Sequence, residues 1–137
     1  MSTITFSQST GIITQEDGAV VVPAGLAWAG HDVPGGVQGR NNPKAQDVVG
    51  VGPLPQGLYR VGAWGDAQSV HGYPAHLGPH IASLTQIDGQ TFGRSGFFIH
   101  GPGGADPRQS SKGCIEIEHD YRLNLQILDP SFIRVTE

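Results

Sequence analysis

The sequence has a single cysteine among its 137 residues, which limits the chemistry available to it. One cysteine cannot form an internal disulfide bond, so Cys114 either packs as a small apolar side chain or serves as a reactive thiol. The sequence also lacks any run of 18 or more apolar residues, so no membrane span is predicted. Its first residues have neither a basic start nor an apolar stretch, so no signal peptide is predicted.

Charged residues are also scarce. They make up 15% of the chain, the formal net charge is −4, and no basic patch is apparent, which argues against nucleic acid as a partner. The hydrophobic fraction of 37% is close to that of ordinary globular proteins. The length suits one hydrophobic core, and a single domain over residues 1–137 is therefore predicted.

The sequence contains many short apolar runs separated by glycine and proline turns, and this pattern is typical of all-β domains. The predicted strands are residues 3–7, 12–14, 19–22, 26–29, 58–62, 81–87, 91–92, 97–99, 115–117 and 132–136. Asp88-Gly89 is predicted to form a hairpin turn, and Asp120 to cap a short helix. Residues 31–57 are predicted to be mostly loop. The predicted fold is mainly β and sandwich-like, with one or two short helices.

One stretch of the sequence contains the candidate catalytic residues. An apolar strand at residues 97–99 ends at His100, and a loop rich in glycine and proline follows. Cys114 then precedes residues 115–117, whose alternation of apolar and polar side chains predicts a half-buried strand. Two strand ends joined by such a loop are expected to place His100 and Cys114 side by side.

A cysteine beside a histidine is a unit for acyl transfer. The thiolate is the nucleophile, and the imidazole takes the thiol proton and returns it to the leaving group. Lys112 is expected to favour the thiolate through its positive charge. Gly113 allows a tight turn, and the amides of Gly113 and Cys114 are expected to stabilise an oxyanion. Arg94 is predicted either to bind a substrate carboxylate or to pair with a nearby acid, and His31 to contact substrate or lie on the surface.

The motifs resemble a known family. His100-Gly101 followed by Ser111-Lys112-Gly113-Cys114-Ile115 is similar to the signature of the L,D-transpeptidase catalytic domain (YkuD-type). Residues 29–31, 41–43, 52–59 and 93–101 further resemble the small L,D-transpeptidase/L,D-carboxypeptidase-like effectors of bacterial type VI secretion. Lys112 stands where the family often has a second histidine, and Glu116 where it has Arg or Asn.

The resemblance implies cysteine-dependent acyl transfer on the tetrapeptide stem of peptidoglycan, as an L,D-carboxypeptidase or an L,D-transpeptidase, with no cofactor. It implies Cys114 as nucleophile, His100 as base and then acid, and Gly113 and Ser111 as the other members of the catalytic group. Arg94, Lys112 and His31 are the expected substrate-binding residues. A protein made in the cytoplasm without a signal peptide is then expected to be secreted or injected, and to act in the periplasm of a target bacterium. An immunity protein and a secretion-system component are further expected partners.

Three alternatives stay open. The first is a different cysteine peptidase on the same scaffold. The second is an inactive peptidoglycan-binding module, in which Cys114 only packs. The third is a zinc protein, suggested by His71, His76 and His80, although no accompanying motif of metal ligands supports it. No metal site is therefore predicted.

Overall fold

The computed structural model describes residues 2–69, 77–102 and 111–137, and it is mainly β. Within these ranges nine strands form one continuous sheet in the order β3-β2-β1-β9-β5-β6-β7-β8-β4. The strands are β1 (Thr3–Ser7), β2 (Ile13–Gln15), β3 (Val20–Val22), β4 (Ala27–Ala29), β5 (Gly57–Val61), β6 (Ala82–Gly89), β7 (Phe97–His100), β8 (Ile115–Ile117) and β9 (Phe132–Thr136). Residues 30–56 are mostly irregular, with one short 3-10 turn at Pro43–Ala45, which agrees with the loop predicted over residues 31–57 except that Gly57 begins β5.

Strand β1 shows why the polar and apolar residues alternate. Ile4 and Phe6 are buried, whereas the residues between and beside them are only partly so. Successive side chains of a strand point to opposite faces, so this pattern fixes which face meets the core. β1 pairs in parallel with β9, which places the first and last strands of the chain together near the middle of the sheet.

The sheet curves until its two edges approach each other. β3 and β4 are the edge strands, yet only residues 23–26 connect them, and the five residue steps from Val22 to Ala27 span at most about 18 Å. Val22 of β3 and Ala29 of β4 consequently belong to the same buried cluster. The interior is enclosed like that of a sandwich, which confirms the predicted mainly β, sandwich-like fold.

Strands β7 and β8 belong to the segment that contains His100 and Cys114, the two residues predicted to be catalytic. They pair in parallel, with Ile99 opposite Ile115 and His100 opposite Glu116. The two isoleucines are fully buried in the core. β8 is buried at all three positions, so the predicted half-buried strand is wrong: its polar member, Glu116, is only 1% exposed.

A predicted hairpin at Asp88-Gly89 is also wrong. β6 runs through to Gly89, because its pairing with β5 continues as far as Gly57 opposite Gly89. Residues 91–92 are not a strand, and the next partner of β6 is β7. Pairing with a strand distant in sequence has overridden the local turn signal.

The described residues contain one α-helix, α1 (His119–Leu128), in agreement with the prediction of one or two short helices. Its N-cap is Glu118, whose side chain makes no capping hydrogen bond, and Asp120 lies inside the first turn. The predicted capping by Asp120 is therefore wrong, although its carboxylate still favours that end of the helix dipole. Within the described ranges, no helix has the length and apolarity needed to cross a membrane.

Candidate active site

His100 and Cys114 open onto the same cleft. Its volume is about 90 Å³, and its lining is mostly apolar: Leu77, Ile81, Gly96, Phe98, His100 and Cys114. β7 ends at His100, and β8 begins one residue after Cys114, so the parallel pairing of the two strands brings both side chains to this opening. The structure thus brings together the two residues that the sequence singled out for chemistry.

The imidazole of His100 is held in one orientation. Its Nδ1 lies 2.7 Å from the carbonyl oxygen of Gly101. A carbonyl can only accept a hydrogen bond, so Nδ1 carries the proton in this arrangement. In the neutral ring Nε2 then has the lone pair, and Nε2 is the atom suited to accept a proton.

The environment of the Cys114 thiol favours its neutral form over the thiolate. Burial raises the pKa of Cys114 to about 11, and the negative charge of Glu116 raises it further. Three groups act in the opposite direction: the amide of Phe98, which donates to Sγ at 3.3 Å, the amide of Cys114 itself, and the charge of Arg94. Desolvation is the largest of these effects, because an apolar cleft disfavours the charged thiolate.

This finding corrects the role predicted for Lys112. The sequence placed its positive charge beside the thiol, where it would lower the thiol pKa. In the structure Lys112 is exposed, and the cation that acts on the Cys114 thiol is Arg94. An exposed ammonium group is screened by water, so proximity in sequence does not translate into an effect on the sulfur.

Ser111 holds together the loop that presents Cys114. Its hydroxyl donates to the carbonyl of Cys114 at 2.6 Å and accepts from the amides of Gly30 at 3.0 Å and Gly113 at 3.2 Å. The residue is 1% exposed. All three bonds are to backbone atoms, so they give Ser111 a part in shaping the loop rather than in handling the thiol proton.

Gly113 is required by conformation and by space. Its φ is +132°, and a Cβ there would lie 2.6 Å from Nη2 of Arg94 and 2.8 Å from the ring of Phe97. A residue with a side chain would therefore strain the turn before Cys114. Because the Gly113 amide donates to Ser111, it is not directed at an oxyanion as the sequence suggested, whereas the Cys114 amide is directed at its own Sγ.

Arg94 does not serve as a surface group that could bind a substrate carboxylate. It is 6% exposed, and its guanidinium donates to four carbonyls, those of Gln46, Gly52, Pro53 and Lys112, at 2.6–3.1 Å. Desolvation lowers its pKa, as expected for a buried cation. The substrate-binding prediction for Arg94 is therefore corrected: it connects the loop of Cys114 to the long loop before β5.

The other histidines lie away from the cleft or outside the described residues. His31 is half-buried behind the loop that presents Cys114, and its Nδ1 contacts the carbonyl of Ser111 at 2.7 Å. It supports that loop and does not line the cleft.

His80 contacts Gln126 and stacks edge-on with His119. His71 and His76 lie outside the described residues, so the zinc alternative stays untested. Within the described ranges no cluster of three potential metal ligands occurs.

Sequence reasoning missed three residues near the site. Glu116 is buried and accepts a 2.8 Å hydrogen bond from Nε1 of Trp28, which is itself 2% exposed. Arg122 of α1 is 3% exposed and donates to the carbonyls of Ile117 and Pro79. Glu116 had a usable signal, because its spacing of two from Cys114 puts both side chains on one face of a strand. Arg122 had none.

Comparisons with known proteins agree with this geometry. The family model described as the Tlde1 domain matches residues 27–129. A solved L,D-transpeptidase from Mycobacterium tuberculosis H37Rv is similar over 99% of this chain and 57% of its own, with a TM-score of 0.55 and 16% identity. The structure of the LD transpeptidase LdtMt1 in complex with imipenem is similar over 98% of this chain and 58% of its own, with a TM-score of 0.51 and 15% identity.

At these identities the solved structures establish the fold, which is that of the L,D-transpeptidases. The chain spans somewhat more than half of the length of those proteins. None of the curated protein sequences is significantly similar to it.

Proposed function

The chain belongs to the Tlde1 domain family, and from this membership and the cleft we propose that it is a cysteine-dependent acyl transferase acting on peptidoglycan stem peptides. The observation that carries the proposal is the shared cleft of His100 and Cys114, with the ring of His100 fixed by Gly101. The likeness of the fold to L,D-transpeptidases supports peptidoglycan as the substrate class. The reaction needs no cofactor in this scheme.

The first half of the reaction forms a thioester. Nε2 of His100 takes the proton of the Cys114 thiol as Sγ attacks the carbonyl carbon that precedes the terminal D-alanine of a tetrapeptide stem. A tetrahedral intermediate forms, and its oxyanion accepts a hydrogen bond from the Cys114 amide. When the carbon–nitrogen bond breaks, His100 returns the proton to the departing amine, and D-alanine leaves.

The second half resolves the thioester. Water attack releases a tripeptide stem, which is L,D-carboxypeptidase activity; attack by an amine forms a new peptide bond, which is transpeptidation or D-amino-acid exchange. In both cases His100 takes a proton from the attacking group and returns one to Sγ. In this scheme proton transfer to His100 accompanies attack, which is consistent with the raised pKa of the Cys114 thiol.

The family membership also supports a biological role. We propose that the chain is an antibacterial effector delivered by type VI secretion, with a cognate immunity protein in the producing cell. Production with a periplasmic signal should then cause swelling or lysis of a susceptible bacterium, whereas production in the cytoplasm should not. The Cys114→Ala variant directed to the periplasm is the matched control. Equal toxicity from both compartments would contradict a target in the cell wall.

Mass spectrometry of purified tetrapeptide muropeptides tests the chemistry. Incubation with the protein should convert them to tripeptides, to cross-linked dimers, or, with an added D-amino acid, to exchanged tetrapeptides. Folded Cys114→Ala protein should leave them unchanged. Binding to sacculi without any conversion would identify a binding module instead, and cleavage of ordinary L-peptides in preference to stems would identify a different cysteine peptidase.

A further inference from the structure

Glu116 occupies an unusual place beside the pair of His100 and Cys114. The register of β7 and β8 sets Glu116 directly opposite His100, and neighbouring strands lie about 4.8 Å apart. Cys114 is two residues before Glu116 and directly precedes β8, and the Glu116 charge acts on its thiol, so the two side chains lie on the same side. The isoleucines that alternate with them point into the core. A carboxylate therefore shares one face of the sheet with the thiol and the imidazole.

The carboxylate is fixed from its other side by Trp28. β4 pairs with β8 so that Trp28 is opposite Glu116, and its indole Nε1 donates to Oε2 at 2.8 Å. Both residues are nearly inaccessible to water, at 2% and 1% exposure. Three adjacent strands thus align Trp28, Glu116 and His100 in a row across the sheet. A buried carboxylate requires hydrogen-bond donors, and the indole of Trp28 is one of them.

A carboxylate at this position would act on charge that appears during the reaction. Once Sγ has bonded to the substrate carbon, the proton is on His100 and the ring is positive. A negative charge one strand away stabilises that imidazolium, most effectively where water is excluded. The same charge opposes a free thiolate, in line with its action on Cys114. Both effects favour transfer of the proton at the moment of attack.

We propose that Glu116, anchored by Trp28, is a positioning residue that stabilises the protonated form of His100 during acyl transfer. The inference rests on the proposed function for its consequence in catalysis, but the pairing of Glu116 with His100 is measurable without substrate. Other charged groups near this face are Arg94, whose charge acts on the Cys114 thiol, and Arg122, which donates to the carbonyl of Ile117. Asp106 and Arg108 lie outside the described residues.

Glu116→Gln is the discriminating variant, because it removes the charge and keeps an oxygen that can accept from Trp28. Titration of the His100 ring by NMR should show a pKa lower by about one unit than in the wild type. On stem peptides kcat should fall about tenfold with little change in KM, and the acidic limb of kcat/KM should move to lower pH. Glu118→Gln, an exposed carboxylate two residues further on, is the control and should change neither.

Coinciding titration curves of His100 in folded Glu116→Gln and wild type would overturn the proposal. If that variant does not fold, Trp28→Phe replaces it: a smaller aromatic ring remains and the indole N–H donor is lost. A smaller shift in the same direction is expected, and no shift would count against the proposal. A shifted His100 pKa in a protein that never converts stem peptides would support the pairing while refuting the proposed function. The two ideas can therefore fail separately.

Discussion

Strands β7 and β8 present two faces with opposite characters. The face toward the core carries Phe97, Ile99, Ile115 and Ile117, all buried among other apolar side chains. The opposite face carries Phe98, His100, Cys114 and Glu116, which border the cleft or lie next to it. The same backbone thus supports a conventional core on one side and the proposed catalytic pair on the other. Stability and chemistry should therefore respond separately to substitutions on the two faces.

The largest effect is expected on the cleft face. Cys114→Ala and His100→Ala should each lower the rate of stem-peptide conversion by about a thousandfold or more, and the double variant should be hardly slower than either. Groups that act as one unit give such non-additive losses. Thermal unfolding should stay within a few degrees of wild type, since neither side chain fills the core. A folded Cys114→Ala protein that still releases D-alanine at the wild-type rate would refute the assignment of the nucleophile.

On the core face the expected effect is on stability. Ile117→Ala should lower the free energy of unfolding by about 3 kcal/mol, because a fully buried side chain is removed and a cavity remains. Chemical denaturation with urea measures this. Ile127→Ala on α1 is the matched control: that side chain is 74% exposed, and its loss should be close to neutral. A similar loss in both variants would contradict the placement of the core.

The thiol itself reports on the environment of the cleft face. With a pKa of about 11, Cys114 should react with iodoacetamide about a hundredfold more slowly at pH 7 than an unperturbed cysteine, and the rate should rise with pH up to that value. The sign follows from burial, which favours the neutral thiol over the thiolate. The same protein in denaturant is the control and should show ordinary reactivity. A reaction at pH 7 as fast as that of the denatured chain would exclude the raised pKa.

A smaller effect is expected where a buried arginine supports the cleft face from outside the two strands. Arg94→Lys keeps the charge but cannot reach the four carbonyls that the guanidinium binds, and should lower the free energy of unfolding by about 2 kcal/mol. Arg60→Lys, at an exposed position, is the control. If Arg94 instead held a substrate carboxylate, the variant would raise KM and leave stability unchanged. Urea titration and steady-state kinetics separate these results.

Much of the fold was predictable because the order of apolar and polar residues within each strand indicates that strand. The alternation in β1 and the apolar runs of β4, β5 and β9 each follow from which side chains must leave water. His100 and Cys114 could be paired in advance because both lie at strand ends joined by one loop. The turn predicted at Asp88-Gly89 failed because β5, far away in sequence, continues to pair there.

The sequence by itself determined the mainly β character and the two residues that line the cleft, since periodicity and spacing act over short distances. Only the tertiary structure decided how each polar side chain is used. Arg94 turns inward because four carbonyls from separate loops converge on it, and Glu116 is buried because Trp28 on a neighbouring strand can donate to it. The pKa of Cys114 likewise depends on burial and on the charges brought near it by folding. Desolvation and long-range hydrogen bonding set these outcomes, and neither is encoded in the spacing of residues along the chain.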